Sequence, residues 1–297
     1  MGLRVLWAID GSEKSLAGSG VIRQQLRGAC DHLIILCVAP GPVFSGARPD
    51  PIYLKTATRA GREHALEAAM AHAQESASAV GDIGATVETA SRWGHPIPSI
   101  LDAAKETEAD LIVVSAKGHS NLALLALGSV AEGVVNHATI PVLLARPDEP
   151  VDRSILLGYD ATEPARRALE FVPRIRPDGG DGIHVATIIE PFPTPAVSPP
   201  YRAMARKEAH EINEQRKQAA ATAIEEAVQL LARHGLKATG STHSGEPANE
   251  IIALAEAQHA GLIVVGSQKP SRVRRYLLGS VAAKLVRFAP ISVLVVR

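Results

Sequence analysis

Aromatic residues make up 3% of this 297-residue chain, there are two cysteines, and 31 acidic side chains cancel 31 basic ones. Few aromatics means few platforms for stacking bases or sugars, so the core must be aliphatic. Two cysteines, Cys30 and Cys37, cannot build a disulfide framework or a zinc cluster alone; free buried thiols in a reducing cytosol are the expectation. A zero net charge argues against a general nucleic-acid binder. Met1 to Asp10 holds no basic segment leading into a long apolar stretch. No run of about 18 apolar residues occurs, so the chain is expected to be soluble and cytoplasmic, with no membrane partner. Catalytic signatures are missing too. No HExxH, no GxSxG elbow and no P-loop GxxxxGK[ST] is found, and no nucleophile–base pair or metal set stands out.

Hydrophobic residues make up 46% of the chain, enough for a packed core and too many for disorder. The chain also repeats itself. An offset of 151 places Gly94 on Gly245, Pro96 on Pro247, Leu111–Val114 on Leu262–Val265, Gly128–Ala131 on Gly279–Ala282, and Arg146 on Arg297. An offset of 150 places Asp10 on Asp160 and Val38 on Ile188. Two copies of one domain follow, residues 1–146 and 153–297, with the Pro- and acid-bearing segment 147–152 as linker. The first copy carries net negative charge and the second net positive, which favours their association.

Each copy alternates strand and helix. In the first, strands are expected at Leu3–Ile9, His32–Val38, Ala85–Ser91, Leu111–Ser115 and Pro141–Ala145. Helices are expected from Ser12 to about Gly28, and over Leu54–Val80, Pro98–Thr107 and Ser129–His137, with Pro40–Pro51 as loop. The second copy repeats the order, with Tyr201–His234 as its long helix. Such alternation predicts an α/β fold of two similar open, mainly parallel, five-stranded sheets with helices on both faces. In such sheets the ligand site lies beyond the carboxyl ends of the strands.

The strand ends therefore carry the candidates. Asp10 and Asp160 close the first strand of each copy; either acid can cap the following helix or accept hydrogen bonds from a ribose or an amine. The fourth strand leads into Ser115-Ala116-Lys117-Gly118, nine residues, then Gly128-Ser129. Its counterpart is Gly266-Ser267-Gln268-Lys269, nine residues, then Gly279-Ser280. A Gly-Ser at a helix start is either a simple cap or an anion site, since the helix end presents unpaired N–H groups. Lys269, Arg272, Arg274 and Arg275 form either a solvated surface loop or a phosphate clamp or partner patch. His95 and Glu246 share one repeat position and read as helix-start turns.

These residues resemble the universal stress protein family in its tandem form, over nearly the whole chain and twice. The strand–loop–Gly-Ser-Val–helix–strand ending, Leu262 to Arg297, is the most specific part. The resemblance implies an adenine nucleotide (ATP or AMP, with or without Mg²⁺) as cofactor. Asp10 and Val38 would meet the adenine or ribose end, and Ser115, Gly118, Gly128, Ser129 and Val130 the phosphates. In the second copy Asp160, Ile188, Gly266, Gly279, Ser280 and Val281 match. Ser115 and Lys269 depart from the family's first and second loop glycines; Ser115 is expected to cost little unless positive φ is needed there. The first copy is expected to be the better site. The family also dimerises through its last strand, which implies that the two last strands pair within this chain under a pseudo-two-fold axis, with a homodimer of chains a further option. The implied function is a nucleotide-binding regulatory or stress-response protein without fast turnover. The alternatives are a scaffold that lost its nucleotide and a slow ATPase.

Overall fold

The computed structural model describes residues 2–41, 58–116, 127–146, 153–179, 182–196, 198–268 and 278–297. The expected linker 147–152 and most of the expected loop Pro40–Pro51 lie outside them. The first half runs β1 (Leu3–Ile9), α1 (Glu13–Gln25), β2 (Cys30–Pro40), α2 (Arg59–Val80), β3 (Thr86–Gly94), α3 (Pro96–Glu106), β4 (Leu111–Ser115), α4 (Ser129–His137) and β5 (Val142–Ala145). The second runs β6 (Ile155–Gly158), α5 (Glu163–Ile175), β7 (Ile183–Ile189), α6 (Arg202–Arg233), β8 (Ala238–Ser244), α7 (Pro247–Ala257), β9 (Leu262–Gly266), α8 (Ser280–Phe288) and β10 (Ser292–Val296).

The strands make a single sheet in the order β3-β2-β1-β4-β5-β10-β9-β6-β7-β8. Within each half every pairing is parallel, and the halves meet through one antiparallel pair, β5 with β10. Its register matches Leu144 with Val293, Leu143 with Leu294 and Val142 with Val295. The two last strands thus pair under a pseudo-two-fold relation and remove two edges that would otherwise be open to association. One face is covered by α1, α2, α5 and α6 over Trp7, Leu33, Leu157 and Val185. The other is covered by α3, α4, α7 and α8 over Leu6, Ile112, Leu156 and Ile263. Burial from both sides explains why β4 and β9 read Leu-Ile-Val-Val without alternation.

Several boundaries move from the sequence reading. β3 extends to Gly94 because β2 pairs with it along its whole length, from His32–Thr86 to Pro40–Gly94. α3 starts at Pro96, whose fixed φ suits a first helical turn, so both prolines lie inside it. His95 and Glu246 are N-caps, and the Glu246 carboxylate accepts from the Asn249 amide at 3.0 Å. α6 loses Tyr201 to a short 3₁₀ turn, Pro199–Tyr201. Cys30 and Cys37 are free and buried.

Three buried arginines hold the halves together. Arg146 donates to the Val286 carbonyl at 2.7 Å, and Arg297 donates to the Val135 carbonyl. Arg176 donates to the Gln25 carbonyl at 2.6 Å and to the Gln25 side chain. All three acceptor carbonyls lie in last helical turns, where the backbone has no helical partner. At the surface, Arg174 meets Asp110 at 2.7 Å and Arg287 meets Glu132 at 2.8 Å. In both pairs the second half supplies the cation and the first half the acid.

Candidate functional site

Asp10 and Asp160 stand just past the carboxyl ends of β1 and β6. Asp10 Oδ1 accepts from the Ser12 amide at 3.0 Å and from its hydroxyl at 2.6 Å. Asp160 Oδ1 does the same with Thr162, at 3.1 and 2.6 Å. Each Oδ1 thus closes a turn two residues on, at the residue just before the helix, and Thr162 rather than Asp160 is the N-cap of α5; these contacts do not use the second carboxylate oxygen. Both aspartates are exposed. The tight turn needs positive φ at the next residue, +76° at Gly11 and +59° at Ala161.

In the second half a cleft of about 150 Å³ opens beside Asp160. Its walls include Tyr159, Ile188, Ile251, Gly266 and Val281. It lies at the switch point, where the chain leaves β6 for β7 on one side and returns to β9 on the other. The wall is mainly apolar, with the Asp160 carboxylate and Thr162 at its rim. Of the sequence candidates, it brings together Asp160, Ile188, Gly266 and Val281. Gly279 and Ser280 stand at the start of α8, one position before Val281. Ala165, Ala186 and Ile251 were not anticipated, since helix flanks and mid-strand residues give no local sign of facing a ligand.

The glycines at the cleft differ in kind. Gly266 has no positive φ. A Cβ there would overlap the Pro164 carbonyl and stand 2.6 Å from the Ala165 amide nitrogen, at the start of α5. The constraint at this repeat position is therefore close backbone approach, not torsion, and Ser115 brings to the first half the side-chain volume that Gly266 lacks. Gly279 has φ −53° and open space, with nothing within 4 Å of an added Cβ. Neither sterics nor torsion among the described residues requires glycine there.

In the first half, Val38 sits on β2 opposite Arg92 of β3, Ser115 closes β4, Gly128 is the N-cap of α4, and Ser129 and Val130 open that helix. Gly128 has φ −68°, so it needs no glycine torsion either. Gly118, Lys117, Lys269, Arg272, Arg274 and Arg275 lie outside the described residues. Among the described residues no helix is long and apolar enough to cross a membrane.

The sequence profile of the Universal stress protein family matches residues 1–146 and again 153–297. A universal stress protein of Mycolicibacterium smegmatis is 25% identical, over 99% of this chain and 96% of its own length. One from Thermus aquaticus is 30% identical, over 48% of this chain and 97% of its own length. The crystal structure of a universal stress protein from Archaeoglobus fulgidus superposes with a TM-score of 0.70 at 20% identity, covering 99% of this chain and 96% of that one; it shares the fold. With both halves matched and the tandem α/β architecture in place, the chain belongs to the universal stress protein family.

Proposed function

We propose that this protein binds an adenine nucleotide at the carboxyl ends of its strands and acts as a regulatory or stress-response protein without fast turnover. The observation that carries this reading is the meeting of Asp160, Ile188, Gly266 and Val281, from four separate segments, around one cleft at the switch point of the sheet. Asp160 would use its second carboxylate oxygen on the ribose or adenine end, with Ile188 flanking the base. The start of α8 would receive the phosphates through its unpaired N–H groups and the Ser280 hydroxyl. Gly279, which the fold does not require as glycine, leaves room for that approach. The cleft is smaller than the roughly 300–1,000 Å³ of sites that enclose a whole drug-sized ligand. It suits one end of a nucleotide whose phosphates extend toward α8.

In the first half Asp10, Val38, Ser115, Gly118, Gly128, Ser129 and Val130 would play the corresponding parts. The two sites are expected to differ in affinity, the first keeping both glycines nearest the phosphates. A direct test is to heat-denature purified protein, identify released nucleotides by mass spectrometry, and titrate the stripped protein with ATP and AMP, with and without Mg²⁺. Release of an adenine nucleotide, or saturable binding, is expected. Neither release nor binding would overturn the reading and leave a nucleotide-free scaffold. Sustained phosphate release above buffer would replace it with a slow ATPase.

A further inference from the structure

On the outer strands of the second half, Ser241 Oγ lies 2.7 Å from His184 Nε2 and 2.7 Å from His243 Nε2. The other ring nitrogen of His184, Nδ1, lies 2.8 Å from Thr239 Oγ1. All four side chains share one face of the sheet, because His184 of β7 is in register with Thr239 of β8, Ala186 with Ser241, and Ile188 with His243.

The duplicated fold supplies its own control. The same register in the first half pairs Ile34 with Glu88, Leu36 with Ala90 and Val38 with Arg92. The sheet thus folds there without an imidazole at either position, and the cluster is particular to the second half. A serine hydroxyl carries one hydrogen and two lone pairs, so Ser241 can donate to one of the two ring nitrogens that face it and accept from the other.

We propose that His184 and His243 bind a divalent transition-metal ion of the zinc class between their Nε2 atoms, with Ser241 Oγ and water completing the shell. Two imidazole nitrogens already converge on one point, and imidazole suits zinc, copper and nickel. The cluster offers no carboxylate, which disfavours calcium and magnesium. Thr239 holds the far nitrogen of His184, as hydrogen-bonded outer partners orient metal-bound histidines elsewhere. Among the described residues no group of three or more His, Cys, Asp or Glu side chains is placed to hold a metal ion. The two imidazoles therefore leave the rest of the shell to Ser241 Oγ and water, an open arrangement rather than a closed four-ligand structural site. His184 shares β7 with Ala186 and Ile188, which line the cleft, and Ser241 and His243 stand one strand outward from those two residues.

The test uses tag-free, chelator-stripped full-length protein titrated with Zn²⁺ against a chromophoric chelator near neutral pH. One equivalent is expected to bind. His184→Ala and His243→Ala should each abolish it, and Thr239→Val should weaken it by about 10–100-fold. Ser241→Ala keeps both nitrogens and should still bind, an outcome that a merely structural ladder does not produce. Circular dichroism checks that each variant is folded. If a histidine variant is not, the imidazole NMR signals of the native chain decide, and Zn²⁺ should shift those of His184 and His243. The proposal is overturned if no Zn²⁺ binds at millimolar concentration, if binding survives both histidine variants, or if Zn²⁺ shifts other histidines instead.

Discussion

Arg146 and Arg297, equivalent by the repeat, each donate to a carbonyl of the opposite half, and those carbonyls, Val286 and Val135, are equivalent too. Both side chains are buried, with 7% and 4% of their surface exposed. Desolvation lowers both pKa values, that of Arg297 to about 10, which leaves Arg297 charged near neutrality. The charge is tolerated because last-turn carbonyls sit at the negative end of a helix and have no helical partner. Replacing either arginine with methionine keeps the stem and removes the donor. Each change should cost about 1–3 kcal/mol in urea denaturation, since a buried carbonyl loses its bond. No change in midpoint for either variant would show that water caps these helices equally well.

Gly11 and Ala161 perform the same turn, but only one is suited to it. An L-residue held in the left-handed region costs about 1–2 kcal/mol, part of which glycine returns through its freer unfolded chain. Ala161→Gly should therefore stabilise the protein by about 1 kcal/mol. The reverse change, Gly11→Ala, should destabilise it, and more so because a Cβ there meets the His72 ring at 2.6 Å. Chemical denaturation of both variants checks the sign.

Gly266 and Gly279 should respond in opposite ways. Gly266→Ser forces apart β9 and the start of α5 and should lower stability by about 1–3 kcal/mol, whatever is bound. Gly279→Ala should leave stability within about 0.5 kcal/mol yet weaken ATP binding. Gly279→Asp, and Gly128→Asp in the first half, should abolish it by setting a carboxylate against phosphate. Calorimetry with ATP on the same samples as the melts separates the two effects.

The thiols give the protein a pH signature. Burial, reinforced by Asp31 beside Cys30 and by Asp10 beside Cys37, raises the pKa values from 9.0 to about 12 and about 11. The native state then holds these protons more tightly than the unfolded chain does. The stability they confer is fully present below about pH 9 and is lost as pH rises toward the native values. Urea midpoints should fall over that interval, and Cys37→Ala should flatten the fall. Native protein should resist thiol reagents at mildly alkaline pH and react once unfolded.

Much of this architecture was legible in the sequence, because doubly buried strands such as Leu111–Val114 have a recognisable composition and the repeat carries each assignment twice. The acids after β1 and β6 were legible as well, but not that one carboxylate oxygen of each closes the turn, since capping and ligand binding need the same residue at the same place. Gly266 and Gly279 look alike in sequence, yet one is set by a helix 100 residues away in the chain, at Pro164–Ala165, and the other by no neighbour. The His184–Ser241–His243 cluster could have been suspected by comparing the copies, which differ there from Ile34, Ala90 and Arg92. Without the strand register, however, nothing in the spacing brings residue 184 to residue 241.

The crossed arginines also bear on how such a protein can change over generations. Each half completes a helix end of the other, so shortening either one at its last strand, with loss of its arginine, would expose a carbonyl in its neighbour. This exchange of donors ties the two copies of the fold into one packed unit. The outer strands lie far from that seam, and it is there that the second half carries the histidines the first half lacks at the matching positions.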